Sequence, residues 1–477
     1  MSDHQKPVVV WFRRDLRLSD HLALDAAVQS GRPIVPLFIC DDLVRDLGAA
    51  PRWRLELGLQ AFADTLRGRG SRLVLRRGRA LDVLSTLIAE TGADTVLWSR
   101  CYEPATIKRD TEIKSELTAR GIHARSFAGH LLFEPWEVKT KSDQPFRVFT
   151  PMWRSVQTRD VPFPAAFPGA LRPMEVWPAS DQLDDWGLGK GMDRGAAVVR
   201  SHVRAGETAA LDCLQDFLNV ISSYAQDRDR PDKPGTSRLS EYLSLGEVGP
   251  RMVWHAVQSA AMAGVQGTEP FLRQLVWREF AYHLMCNTPH ILSDNWRSEW
   301  DQFPWNTDPQ SGLVRAWTQA RTGIPIVDAG LREMYVTGRM HNRVRMIVAS
   351  YLTKHLATHW KIGMNWFAEC LTDWDPAANA LGWQWVAGSG PDAAPFFRIF
   401  NPETQRQRFD PNAAYVSKWI AEGQSNPGPE ALSYFEAVPR SWALSPDDPY
   451  PRPVVELADG RKHALELYQA LKTPVRN

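Results

Sequence analysis

The sequence is short of several things, and each shortage excludes a class of protein. Only five cysteines occur in 477 residues, at 40, 101, 213, 286 and 370, and no two form a CxxC pair. That scatter, odd in number, suits a reducing compartment and argues against a disulfide frame or structural zinc. No apolar run approaches the length of a membrane span, and "MSDHQKP" has no feature of a signal peptide, so a soluble, cytoplasmic protein is expected. Surplus charge is also lacking. The net charge is +1, and from residue 201 onward 27 Lys+Arg face 30 Asp+Glu. Nucleic acid could therefore be met only through a local patch. Finally, no GxGxxG follows the first apolar segment; "RRDLRLSD" stands there instead, which argues against an ordinary NAD site.

Tryptophan, by contrast, is plentiful: twenty residues, thirteen of them after position 250. Most belong in a large aromatic core. The length calls for two domains. In the first third, apolar runs at 8–12, 34–40, 72–77, 95–99 and 122–127 alternate with helical segments such as 52–70, the first of them capped near Ser19 or Asp20. Such alternation predicts right-handed βαβ units and a doubly wound, five-stranded parallel sheet over residues 1–131. Ligands of these sheets sit beyond the carboxyl ends of the strands. Proline, glycine and charge break the pattern over 132–205, which reads as a long surface connection. From 206 to 477 nearly everything is helix-periodic, so the fold class is α/β joined to a larger all-α domain.

Three stretches could carry chemistry. In "PGTSRLSEYL" (234–243), Thr236 and Ser237 precede a helical run, where their hydroxyls either cap the helix or help its backbone N–H groups hold a phosphate, with Arg238 adding charge. In "GRMHNRVRMIVASYL" (338–352), Asn342, Arg345 and Met346 share one helix face while Arg343 points away. Arg332, Arg339, Arg343 and Arg345 gather there against one nearby acid, Glu333, giving either a positive patch or a solvated helix. In "LTDWDPAANALGWQWVAGSG" (371–390), Asp373 or Asp375 could neutralise Arg345, because a buried guanidinium without a carboxylate is very costly. Asn379 lies one turn ahead of Trp383. Trp383 and Trp385, two apart, lie about 200° apart around a helix and cannot serve one pocket; if Trp385 lines a cavity, Trp383 faces back into the protein.

Together "VVWFRRDLRLSDHLAL", "TSRLSEYL", "WREF", "TGRMHNRVRM", "DWDPAANALGWQW" and "DAAPFFRIFNP", in this order from about residue 8 to 420, resemble the photolyase/cryptochrome family, and most of all its microbial cyclobutane pyrimidine dimer photolyases. The resemblance implies FAD in the helical domain. Tyr224, Thr236, Ser237, Arg238, Leu239 and Ser240 would hold its phosphates. Phe271, Gln274, Arg278, Asn342, Arg345, Asp373, Asp375 and Asn379 would surround the flavin, Asn379 beside the ring nitrogen that gains a proton on reduction. The implied reaction is light-driven electron transfer from reduced FAD to a pyrimidine dimer flipped out of UV-damaged DNA. Trp383, Trp360 and Trp305 match the inner, middle and outer positions of a photoreduction relay. Trp277 and Trp385 would hold the lesion, Asn342 and Met346 would touch it, and Arg343 and Gln405 would reach the DNA.

Departures from the family pattern qualify this picture. Gln274 replaces a glutamate usual in dimer photolyases, and glutamine there is shared with photolyases of (6-4) photoproducts and with many cryptochromes. Asn342 and Met346 stand where (6-4) repair uses histidines. Arg339 and Phe271 each replace a family tryptophan. Ala105-Thr106 replaces a folate-binding Asn-Glu pair, so a deazaflavin antenna, or an empty site, is expected ahead of folate. A cryptochrome-type photoreceptor is the rival reading; a monomer without membrane contact is expected in either case.

Overall fold

A computed structural model describes residues 5–393 and 395–472. The five runs are strands: β1 (Val8–Phe12), β2 (Ile34–Cys40), β3 (Val74–Arg77), β4 (Thr95–Ser99) and β5 (His123–Phe127). All pair in parallel in the order β3-β2-β1-β4-β5. Every residue of β1 is buried, and the pleat divides them between two cores. Val8, Val10 and Phe12 pack with the helices Leu22–Gln29 and Ala49–Arg67; Val9 and Trp11 pack with Ala80–Thr91 and Pro104–Ala119. Helices cover both faces, which is why the inner strands β1, β2 and β4 are fully buried and read as near-continuous apolar runs, while the edge strands β3 and β5 carry exposed residues.

Two details differ from expectation. The helix after β1 starts at Leu22, with His21 as its cap: the His21 ring nitrogen accepts from the Leu24 N–H at 3.1 Å. Ser19 and Asp20 are committed elsewhere, to Glu207 and Arg251 of the helical region. The stretch 132–205 is also more than a surface connection. Its helix Phe149–Val156 buries Phe149, Met152, Trp153 and Val156 in a core shared with the helix Thr268–Asn287.

"RRDLRLSD" is where the sheet meets the helical region. Arg14 donates to the Ser244 carbonyl at 2.7 Å and Arg17 to the Gly246 carbonyl at 2.9 Å, while the Leu16 N–H donates to the Leu245 carbonyl at 3.2 Å. Gly246 has φ +68°, and a Cβ there would collide with the Arg14 carbonyl, so this junction requires glycine. The five cysteines are all free. No described helix is long and apolar enough to cross a membrane.

Candidate functional site

Four helical segments of the C-terminal region converge on one cavity of about 340 Å³, within the range of small-molecule sites. The first is the loop into the short helix Ser240–Leu245, which contributes Ser237, Leu239 and Ser240. Neither Thr236 nor Ser237 caps that helix; Leu239 occupies the cap position with no side-chain bond. Arg238 sits in the left-handed region at φ +55°, a conformation that costs a non-glycine residue about 1–2 kcal/mol. Strain of that kind gathers where a loop is shaped for a purpose other than stability. The Cys213 thiol steadies the loop by donating to the Ser237 carbonyl at 3.2 Å.

The second contributor is Thr268–Asn287, whose Phe271, Gln274 and Arg278 repeat at helical spacing along one side of the cavity. Arg278 is oriented by two bonds to His130, one to its carbonyl and one to its ring nitrogen, both 2.8 Å. The third is Asn342–Ser350. Asn342, Arg345 and Met346 all line the cavity and Arg343 does not, as the helix periodicity requires. Arg345 donates to both oxygens of Asp373, at 2.9 and 2.8 Å, and the Ser240 hydroxyl donates to Asp373 at 2.7 Å.

The fourth is Pro376–Ala387, and "DWDP" explains its start. Asp375 caps it, accepting from the Ala378 N–H at 3.0 Å, and Pro376 fills the first helical position, where no N–H is needed. Asn379 and Trp383, four apart, then stand one above the other on the cavity wall. Asp375 also accepts from Tyr282 at 2.5 Å and from Arg14, far away in sequence, at 2.9 Å. Burial alone would raise its pKa; the charges of Arg14 and Arg278 together with the hydrogen bonds from the Ala378 N–H and Tyr282 outweigh burial and hold it below the usual carboxylate value.

The positive patch expected from Arg332, Arg339, Arg343 and Arg345 is not free. Arg332 is fully buried against Glu422, Arg339 lies 3.7 Å from Glu241, and Arg343 meets Asp229 at 2.9 Å and covers the Phe409 ring. The acids come from remote segments that local charge counting does not see. The tryptophan pair diverges, as positions two apart on a helix require. Trp383 lines the cavity and Trp385 is absent from its wall. Trp383 can face inward because Gly363 leaves room for its ring; a Cβ at Gly363 would collide with it. The glutamine between the two indoles is a brace, since buried Gln384 donates to the Ile291 and Asp294 carbonyls and accepts from the Trp296 N–H.

Several other expected residues lie off the wall. Tyr224 is buried among Phe217 and Phe271, Trp277 stacks on Phe149 at 3.9 Å, and Gln405 is half-buried on the helix Pro402–Phe409. Trp360 is fully buried and Trp305 partly exposed, and His359 lies between them, 5.4 Å from the first and 5.6 Å from the second. Conversely, Arg14 and Trp374 were not singled out in the sequence. A pair of arginines directly after the central strand, at its carboxyl end, was the available signal for Arg14.

The wall suits a flat heteroaromatic group. Among the described residues no side chain engages the Gln274 or Asn342 amide, and the Trp383 and Trp374 indole N–H groups are buried without an acceptor. The Asn379 NH2 is used by the Met364 carbonyl at 3.0 Å, which leaves its oxygen as an acceptor for a ligand N–H. These groups fit the ring of a flavin, and the Ser237–Ser240 loop offers polar groups to its phosphates.

Comparison with known proteins gives the same picture. Residues 8–169 match the family described as DNA photolyase, and residues 271–470 the FAD binding domain of DNA photolyase. A deoxyribodipyrimidine photo-lyase of Agrobacterium fabrum is 44% identical over 99% of both chains. The crystal structure of a class III photolyase from Agrobacterium tumefaciens superposes with a TM-score of 0.91 at 42% identity, covering 99% of both chains. Cryptochrome-1 of Arabidopsis thaliana is 32% identical over 97% of this chain and 70% of its own. The chain therefore belongs to the photolyase/cryptochrome family, and within it stands with the deoxyribodipyrimidine photo-lyases.

Proposed function

We propose that this protein uses light and FAD to split cyclobutane pyrimidine dimers in UV-damaged DNA. The observation that carries the reading is one cavity wall that combines the Arg345–Asp373 pair, the unengaged amides of Gln274 and Asn342, Met346, Asn379 and Trp383. FAD held there supplies, when reduced and excited, the electron that opens the cyclobutane ring. The chain's own residues do the rest. Arg345, Asp373, Asn379 and Arg278 fix the flavin ring, with Asn379 offering an acceptor where the ring is protonated. Asn342, Met346 and Gln274 meet the lesion, which must leave the duplex to reach them.

Trp277 and Trp385 stack on the flipped bases in this reading, Trp277 with the face that Phe149 leaves free. Arg343 meets a phosphate by exchanging its bond to Asp229, and Gln405 touches the DNA. Trp383, Trp360 and Trp305 form a relay that carries electrons inward: Trp383 rests on Gly363, three residues along the helix that Trp360 begins. A second cavity of about 510 Å³ between the two halves is the place for an antenna chromophore. Ala105 and Thr106 line it together with Phe38, Trp374 and Arg109, which favours a deazaflavin over a folate held by the missing Asn-Glu pair.

The test is illumination of the reduced protein with oligonucleotides carrying either lesion. Restoration of the cyclobutane dimer and not of the (6-4) product is expected. Restoration of neither would leave the photoreceptor reading, which Gln274 and a match of 97% of this chain to 70% of a plant cryptochrome favour.

A further inference from the structure

Trp360 carries a polar attachment that Trp383 and Trp305 lack. Its indole N–H donates to the Asn295 side-chain oxygen at 2.8 Å, and the Asn295 NH2 donates in turn to Asp301 at 2.7 Å. The amide has only one orientation here, because an indole N–H can only donate and an ionised carboxylate can only accept. Trp360 and Asn295 are buried, while Asp301 lies exposed on the short turn Ser298–Gln302. Among the described residues the Trp383 indole N–H finds no acceptor, and that of Trp305 reaches only the Trp300 carbonyl, at 3.4 Å. A plain need for an acceptor does not explain the chain, since the buried Trp300 and Trp419 N–H groups also go without one.

The charges around Trp360 point the same way. Asp294 and Asp301 line a cavity of about 290 Å³ together with Trp305, His359 and Lys361. Lys361 stands 5.9 Å from the centre of the Trp360 ring and 3.7 Å from Asp294. His359, between Trp360 and Trp305, adds no positive charge near neutral pH: burial, and then the charge of Lys361, push its pKa down to about 4. Two carboxylates thus face one cation.

We infer that Asn295 and Asp301 act through Trp360 as positioning residues of the relay, making Trp360 easier to oxidise than Trp383 so that positive charge moves outward. This rests on the relay reading of Trp383, Trp360 and Trp305 given above. In the step concerned, one electron passes from Trp360 to oxidised Trp383; Trp383 becomes neutral again and Trp360 becomes an indole cation. The charge makes the Trp360 N–H a stronger donor, so its bond to Asn295 tightens, and Asp301 reinforces it by pulling on the far end of the amide. No covalent bond breaks. An amide oxygen is too weak a base to take the proton, which stays on Trp360, so the charge can pass on to Trp305 by electron movement alone. Oxidised Trp383 has no such support from the protein, and a charge left there, beside the cavity, returns at once.

The experiment uses the full-length, FAD-loaded protein with the flavin oxidised, excited by a laser flash and followed by the transient absorption of tryptophan cations. A hydrogen bond to a charged group shifts an equilibrium by about tenfold or more, so Asn295→Leu should cut the yield of lasting charge separation by about that factor. Asp301→Asn should cut it less, and Asp301→Glu should restore it. Asp294→Asn, which removes a carboxylate from the same cavity wall but not from the chain, should match the wild type. In all of these the first electron loss from Trp383 should keep its rate while the following step slows, a separation that a merely structural role would not produce. Equal flavin content and near-ultraviolet circular dichroism establish that the variants fold. Trp360→Phe should abolish lasting separation. Wild-type yields in Asn295→Leu and Asp301→Asn, with Trp360→Phe still inactive, would overturn the inference and leave the relay standing; so would equal losses in Asp294→Asn and Asp301→Asn. Lasting separation unchanged in Trp360→Phe would overturn the relay itself, and the inference with it.

Discussion

Two arginine–carboxylate pairs invite comparison. Arg54, on the helix Ala49–Arg67, meets Glu247 between the sheet and the helical region, with both side chains wholly buried. The Arg54–Glu247 contact is bidentate, one bond at 3.0 Å, and Glu247 also accepts from the Gly206 N–H at 2.8 Å. Arg345 and Asp373 make a bond of similar length at the cavity, but the Arg345 side chain keeps 27% of its surface open. Charges sealed from water depend wholly on each other; a charge open to a cavity can trade its partner for water or a ligand. The first pair is placed to join the two halves, the second to receive something.

The largest effect should follow from breaking the sealed pair. Arg54→Ala leaves Glu247 charged and buried, and should cost about 3–5 kcal/mol of unfolding free energy in urea titration. Replacing both partners with apolar residues of similar volume should recover most of that. A loss below about 1 kcal/mol for Arg54→Ala would place the pair with exposed ones and erase the contrast.

A buried carboxyl with weaker compensation sharpens the point. Glu279 accepts from the Leu132 and Phe133 N–H groups at 2.8 and 3.3 Å and lies 3.3 Å from Arg278. Burial nevertheless pushes its pKa from 4.5 up to about 7, against the pull of Arg278 and those two N–H groups. Between these values the folded protein holds a proton that the unfolded chain has released. Stability is therefore full below the lower value and falls as pH rises toward the upper one, by up to about 3 kcal/mol from this group. Glu279→Gln should flatten that slope in urea titrations at pH values on either side of the window. A slope unchanged by the substitution would mean that Glu279 stays ionised.

What the sequence made legible divides along the same line. The inner strands β1, β2 and β4 were readable because a sheet buried on both faces writes near-continuous apolar runs. The edge strands β3 and β5 carry exposed residues and were readable from the strand–helix alternation, β3 beginning two residues late because its pairing with β2 starts at Val74. Asn342, Arg345 and Met346 were readable because helix spacing is local. That Arg345 would meet Asp373 or Asp375 was readable because an unpaired guanidinium is too costly to bury, and the fold gives it Asp373. Partners that arrive from remote segments were not readable: Glu422 for Arg332, Asp229 for Arg343 and Arg14 for Asp375. The choice between Trp383 and Trp385 was equally hidden, because it depends on the space that Gly363 leaves on another helix. Local periodicity fixed that the two indoles diverge, and tertiary packing decided which one faces the cavity.

The smallest effect on stability, and the most telling, should come from the open pair. Asp373→Asn keeps the shape and an oxygen for Ser240 but removes the charge facing Arg345. Because Arg345 is open to the cavity, water can replace the lost partner, and the unfolding free energy should fall by no more than about 1 kcal/mol. Flavin retention should respond far more if the proposed site is right, since Asp373 and Arg345 lie side by side on the wall proposed to receive the ring. The measurement is paired: urea unfolding of the flavin-free protein, and flavin content after gel filtration. A stability loss as large as that of Arg54→Ala would make the cavity pair a structural one after all. Full flavin retention would show that holding the ring falls to Asn379, Arg278 and the Ser237–Ser240 loop, leaving Arg345 and Asp373 to set only the local field.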